Sequence, residues 1–221
     1  MHVLTVAAHK GGAGKSTLSI LLASLFAHAR LRVVLIDTDE GQNTAFAWAS
    51  RRALIQPAVV TVDSTALLTD LIGAAQGHGV DFCLIDTPAG YSAMGHSAIA
   101  AADLVVIPTK CDAADRWAVR TTVEAAVQAG KPFLIVPTEA PPRRLGREAA
   151  ELRLLRADLA DLAPALWDGQ LTERRGIGQS IAEGRAPSEI DWQGLTSSEC
   201  RSLWRRIMEA LPSGSPAAPS P

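Results

Sequence analysis

The residues of this chain that could do chemistry begin at position 10, in Lys10-Gly11-Gly12-Ala13-Gly14-Lys15-Ser16-Thr17. Glycines let a backbone approach an anion without a Cβ clash, and the N–H groups of a tight loop and of a helix's first turn can point inward at it. Those are the parts of a phosphate cradle. Lys15 would place a point charge at the β- and γ-phosphates of a nucleotide, and the Ser16 hydroxyl stands where a Mg²⁺ ligand is needed. The strict pattern G-x-x-x-x-G-K-[ST] is not met, because His9 occupies the first glycine position. A second lysine, Lys10, stands instead at the mouth of the loop. Three carboxylates complete the candidate set: Asp37 and Asp39 in Asp37-Thr38-Asp39, and Asp86 in Asp86-Thr87-Pro88-Ala89-Gly90.

Such residues act only if regular elements hold them together. The run Val3 to Ala8 predicts a buried strand before the loop, and Leu18, Leu21, Leu22, Leu25 and Phe26 recur at helical spacing after it. With Gly-Lys-Ser-Thr in register between them, a mere tight turn closing a βα unit is the weaker alternative. Val33 to Ile36 and Phe82 to Ile85 read as buried parallel strands ending at Asp37 and Asp86. Further strands are expected at Ala58–Val62, Leu104–Pro108 and Phe133–Val136, with helical patterns between them. The predicted fold is therefore α/β, a single doubly wound domain with a mostly parallel sheet flanked by helices. Carboxylates at strand carboxyl ends fall on the edge where open sheets of this kind bind ligands. The two aspartates after the second strand could alternatively cap the next helix. Thr196 with Glu199 three residues on predicts a capping box for the last helix. Residues 1–211 are expected to form the domain, and the Pro/Ser/Ala-rich stretch 212–221 to be disordered.

Composition narrows the class. The chain has 221 residues, 48% hydrophobic and 20% charged, as in globular proteins with a sizeable core. Lys10 and the glycines interrupt the first apolar run before a signal segment forms, and no uncharged run approaches the ~18 residues of a membrane span. Cys83, Cys111 and Cys200 are scattered, which suits a reducing cytosol rather than a disulfide framework. A net charge of −2 gives no global attraction to DNA or to acidic membranes. Any such attraction must be local and built from arginine, since the lysines are only Lys10, Lys15, Lys110 and Lys131.

The two-lysine loop resembles the deviant Walker A motif of the ParA/MinD family of positional ATPases. Asp37-Thr38-Asp39-Glu40-Gly41-Gln42-Asn43 is similar to that family's second signature, Asp-x-Asp-Pro-Gln-Gly-Asn, with Glu40 in place of proline. Asp-Thr-Pro-Ala-Gly from Asp86 looks like its Walker B segment. Arg143-Arg144-Leu145-Gly146-Arg147-Glu148 resembles a segment of small plasmid ParA proteins, with Arg153 and Arg156 expected further along the same helix. The resemblance runs from Val3 to about Glu189 and is to the short ParA type. It implies ATP and Mg²⁺ as cofactors, bound by Lys10, Gly11, Gly12, Ala13, Gly14, Lys15, Ser16 and Thr17. It implies that Lys10 reaches the phosphates of a second subunit in an ATP-dependent homodimer, and that Asp39 orients the attacking water. Ser16, Asp37 and Asp86 would serve the metal, Asp37 alternatively supporting Lys10. The segment Pro137 to Pro142 occupies the family's adenine-contacting place, but no adenine contact is assigned.

The resemblance further implies binding to double-stranded DNA without sequence preference, hydrolysis stimulated by a ParB-like or other cargo-bound partner, and a cytoplasmic, nucleoid-associated location. Arg143, Arg144, Arg147, Arg174, Arg205 and Arg206 are the candidate DNA contacts, though interleaved Glu148, Glu151 and Glu173 also fit a solvated, salt-bridged face. The alternative is a MinD-like membrane-associated ATPase, for which residues 201–211 would supply the amphipathic helix. An iron-protein-like electron carrier would need two cysteines after Asp86, and only Cys111 lies near a suitable place.

Overall fold

Six short runs rich in Val, Ile and Leu form the strands, and all but the edge run 58–61 are mostly buried because helices cover both faces of the sheet. They are β1 (His2–Val6), β2 (Val33–Asp37), β3 (Ala58–Thr61), β4 (Phe82–Asp86), β5 (Leu104–Thr109) and β6 (Phe133–Pro137). The computed structural model describes residues 1–90 and 92–212. All neighbouring strands pair in parallel, in the order β3-β2-β4-β1-β5-β6. The expected α/β class is what the structure shows, and among the described residues the sheet is wholly rather than mostly parallel. The predicted tail begins at 212, and its residues 213–221 lie outside the described ones.

Register decides where the chemistry falls. Val6 pairs with Asp86, and Asp37 pairs with the same residue from the other side, so three strands end level beside one another. The helices are α1 (Lys15–His28), α2 (Thr44–Ala49), α3 (Thr65–Gly77), α4 (Ala93–Ala101), α5 (Ala113–Gln128), α6 (Ala150–Asp158), α7 (Arg175–Ala182), α8 (Pro187–Ile190) and α9 (Leu195–Ala210). One face carries α1, whose Leu18, Ile20, Leu21, Leu22, Leu25 and Phe26 are all buried, with α9 packed over it. Phe26 sits between Phe82 of the sheet and Trp204 of α9, at ring-centroid distances of 4.6 and 4.9 Å. The apolar side of α9, Leu203, Trp204 and Ile207, is therefore part of the core. Val119, Val123 and Ala126 of α5 and Leu152 and Leu155 of α6 fill the opposite face.

Two local expectations are corrected. Residues 143–148 do not continue into a helix with Arg153 and Arg156. Arg144 and Arg147 exchange backbone hydrogen bonds of 3.0 and 2.9 Å across a tight turn, with Leu145 and Gly146 at φ of 50° and 75°. Gly146 permits that left-handed conformation, and α6 begins only at Ala150. The last helix has no capping box at Thr196. Its N-cap is Gly194, and the Glu199 carboxylate instead accepts from Thr172 and Arg174. An ion pair with a half-buried arginine outweighs a cap that water can replace.

Candidate functional site

The loop between β1 and α1 turns on Gly14, which caps the helix at φ 87°, ψ 22°. A side chain is strained in that conformation, so glycine here leaves the first-turn N–H groups free for an anion. Thr138, one residue past β6, braces the loop by donating its hydroxyl to the Ala13 carbonyl at 2.9 Å. A cavity of about 230 Å³ opens over it, lined by Gly11, Gly12, Gly14, Lys15, Ser16, Thr17, Asp39 and Glu139 among others. All the cradle residues read from the sequence line this cavity except Ala13, which is buried, and Lys10.

Lys15 is 7% exposed, and burial lowers its pKa while the charges of Asp86 and Asp39 raise it. One ammonium thus faces carboxylates from two strand ends. Asp86 is fully buried. Burial pushes its pKa up to about 7, opposed first by a hydrogen bond from Ser16, with Asp37 repulsion adding to the rise and Lys15 and Ser19 countering it. Ser19 Oγ donates to Asp86 Oδ1 at 3.2 Å, while Oδ2 is buried with no hydrogen-bond partner among the described residues. A buried carboxylate oxygen without a partner, beside a serine hydroxyl, is hard oxygen chemistry suited to Mg²⁺ and its waters.

Asp37 and Asp39 part company. Asp37 Oδ1 accepts from the Asp39 N–H at 3.1 Å and Oδ2 from the Phe46 N–H at 3.0 Å. Both oxygens thus help to hold the loop and the start of α2, as the capping alternative expects, and each keeps a lone pair that could serve the metal. Burial raises the Asp37 pKa and these backbone bonds lower it. Asp39 instead turns its carboxylate into the phosphate cavity.

Lys10 is not extended away from its own chain. Its ammonium pairs with Asp115 and, at 3.3 Å, with Asp112, at the first turn of α5. The Asp115 hydrogen bond raises the Lys10 pKa. This acidic pair was not singled out in the sequence, although Asp112, an N-cap accepting from the Asp115 N–H at 2.9 Å, follows the usual capping preference.

A second cavity, about 250 Å³, adjoins the first and is lined by Thr17, Leu18, Leu21, Thr138, Glu139 and residues 171–175, 177 and 178. It is where a base would lie if phosphates fill the loop. Glu139 falls in the segment 137–142 that the resemblance set near the base, without an assigned role, while Glu173 and Ile177 were not legible as site residues because no short motif carries them. Of the six candidate DNA arginines, Arg174 is bound twice by Glu199, at 2.6 and 2.8 Å. Arg143 pairs with Glu148 at 3.3 Å, and Arg206 donates to the Pro164 carbonyl at 2.7 Å. Arg144, Arg147 and Arg205 are exposed, with no side-chain partner among the described residues.

A strand–loop–helix with two lysines, facing acidic residues at the ends of adjoining parallel strands, is the P-loop arrangement of the ParA/MinD type. The chain belongs to the VirC1 family, whose sequence model, described as VirC1 protein, matches residues 1–147. It is similar to protein ParA of Rhizobium radiobacter, 33% identical over 117 residues, covering 52% of this chain and 51% of that protein. Protein virC1 of the same organism is 34% identical over 114 residues, covering 49% of each. The chromosome-partitioning ATPase Soj of Thermus thermophilus is 29% identical over 136 residues, covering 49% of this chain and 55% of Soj. The chain spans about half the length of these curated relatives. In fold it matches an ATP complex of McdA from Cyanothece, with a TM-score of 0.74 at 18% identity over 100% of this chain and 99% of that one. MinD of Aquifex aeolicus matches with a TM-score of 0.73 at 17% identity over 100% of both.

Proposed function

We propose that this chain is a Mg²⁺-dependent ATPase that dimerises on ATP, binds DNA without sequence preference, and is released when a cargo-bound partner stimulates hydrolysis. The observation that carries the reading is that Lys15 and Asp39 line one cavity over the glycine loop, with the Lys15 ammonium under the charges of both Asp39 and the buried Asp86. Gly11 to Thr17 would hold the triphosphate through backbone N–H groups and the Lys15 ammonium. Ser16 and Asp86 would hold Mg²⁺, which neutralises charge on the β- and γ-phosphates when bound. Asp39 would accept a hydrogen bond from the attacking water and orient it in line. Turnover is slow because positioning by one subunit is incomplete.

Lys10 supports the dimer reading through its place on the outer lip. Its present partners, Asp112 and Asp115, hold it within the subunit, so pairing would exchange these contacts for the phosphates of the second subunit. Among the six candidate arginines, Arg144, Arg147 and Arg205 have no side-chain partner among the described residues and would be the ones to meet DNA phosphates. The burial of the apolar side of α9 favours DNA over the membrane alternative, because the helix that would insert is part of the core. Among the described residues no helix is long and apolar enough to cross a membrane.

The test is radiolabelled ATP binding and phosphate release by the intact chain and two variants. Lys15→Ala should lose nucleotide binding, and Asp39→Ala should keep it while phosphate release stalls. An Asp39→Ala protein that hydrolyses at the parent rate sinks the assignment.

A further inference from the structure

A carboxylate beside a triphosphate site is electrostatically unfavourable unless it has a use and a counter-charge, and Glu139 has such a place. The phosphate cavity and the adjoining cavity share Gly14, Thr17 and Glu139 in their linings. On the nucleotide reading above, the sugar links what fills one to what fills the other, so groups common to both face the sugar. Gly14 has no side chain and Thr17 a single hydroxyl. Glu139 alone offers two anionic acceptors, the number that two neighbouring sugar hydroxyls require.

Three further observations show that the carboxylate is held at this seam. Glu139 has φ 46°, a left-handed conformation costly for a residue with a side chain, and such strain clusters at ligand sites. Its neighbour Thr138 fixes the segment from both sides, its N–H donating to the Thr109 carbonyl at 2.8 Å and its hydroxyl to the Ala13 carbonyl. Lys110, just past β5, pairs with Glu139 Oε2 at 2.6 Å and supplies the counter-charge. The carboxylate nonetheless remains 44% exposed, open to a ligand.

We infer that Glu139 is the sugar-reading residue of the nucleotide site, accepting hydrogen bonds from the 2′- and 3′-hydroxyls and selecting ribonucleotides over deoxy forms. A hydroxyl donating to a charged acceptor contributes enough that losing both should weaken binding about tenfold or more. The inference rests on the nucleotide-binding reading, and the experiment separates the two. Equilibrium competition would compare ATP with 2′,3′-dideoxy-ATP on the full chain and on Glu139→Gln and Glu139→Gly. Glycine accepts the left-handed backbone, so that variant keeps the turn and should fold.

The parent chain should prefer ATP about tenfold or more, Glu139→Gln should retain part of that preference, and Glu139→Gly should bring the two ligands within about twofold. Equal affinity of the parent chain for both, or equal weakening of both in Glu139→Gly, overturns the inference and leaves nucleotide binding standing. A Glu139→Gly protein that loses discrimination between ATP and GTP but keeps its sugar preference places the carboxylate on the base and overturns it too. Absence of any nucleotide binding by the parent chain removes the underlying reading, and the inference with it.

Discussion

Asp37 and Asp39 are two residues apart, a spacing that would set both side chains on one face of a continuing strand, but β2 ends at Asp37 and the two carboxylates find different surroundings. Asp37 ends β2 pointing into the protein, where it ties down Asp39 and α2; Asp39 points into the cavity. Their substitutions should therefore differ in kind. Asp39→Ala should leave stability within about 0.5 kcal/mol. Asp37→Ala strands two backbone donors, about 1–3 kcal/mol each if they find no water. A urea titration of both variants separates the two effects, and a stable Asp37→Ala protein would return Asp37 to the metal. Lys10 belongs at the same scale. Two carboxylates hold it in the subunit, so ATP must offer it a better partner before it leaves. Lys10→Ala should stay monomeric with ATP in light scattering; persistent dimers would remove the trans-acting role.

At the scale of elements, the loop that carries Asp39 is anchored through α2. Trp48 is 1% exposed and donates its indole N–H to the Arg185 carbonyl at 3.0 Å, while Arg52, just beyond α2, stacks 4.1 Å from the Trp48 ring. The Arg52 and Glu189 side chains are 2% and 12% exposed and meet at 2.6 Å. Removing one member of a buried pair strands the other charge, which typically costs about 3–5 kcal/mol, whereas replacing both by apolar residues can be neutral. Glu189→Ala should thus lower the denaturant midpoint sharply, and Arg52→Met with Glu189→Leu should recover most of it. None of this was legible in the sequence. Strands, phosphate loop and strand-end aspartates were, because each is written in contiguous residues whose period or spacing carries the signal. Arg52–Glu189, Arg174–Glu199 and Lys10–Asp115 join residues 137, 25 and 105 positions apart, and local pattern says nothing about such partners. The turn at 143–147 departs from the helical expectation for another reason: Leu145-Gly146 between two arginines suits a two-residue turn, and that local glycine signal prevails over the continuation into a helix.

At the scale of the whole molecule, net charge gives no attraction to DNA, so the proposed DNA binding would rest on a local patch and on pairing of subunits. Half of the six candidate arginines of one subunit are tied to other groups. Arg174 and Arg143 are held by Glu199 and Glu148, leaving Arg144 and Arg147 at an exposed turn and Arg205 on α9. Two subunits on one duplex make the second contact intramolecular and can raise avidity by ~10²–10⁴ with no new contact. ATP-dependent binding follows from that arithmetic if ATP drives dimerisation. Trp117, 83% exposed on α5 close to Asp115, reports on the pairing: ATP should reduce its quenching by acrylamide in a concentration-dependent way. For DNA, anisotropy with unrelated duplexes should show binding with ATP and little with ADP. Its affinity should fall with salt on a log–log slope of about −0.9 per phosphate contacted. Arg144→Glu with Arg147→Glu should abolish binding without moving the unfolding midpoint, because neither side chain has a partner to lose. Arg174→Glu should instead unfold the protein more easily, since it sets like charges against Glu199. If the double variant binds DNA with an unchanged salt slope, the turn is not the contact, and the free arginine of α9 becomes the place to test.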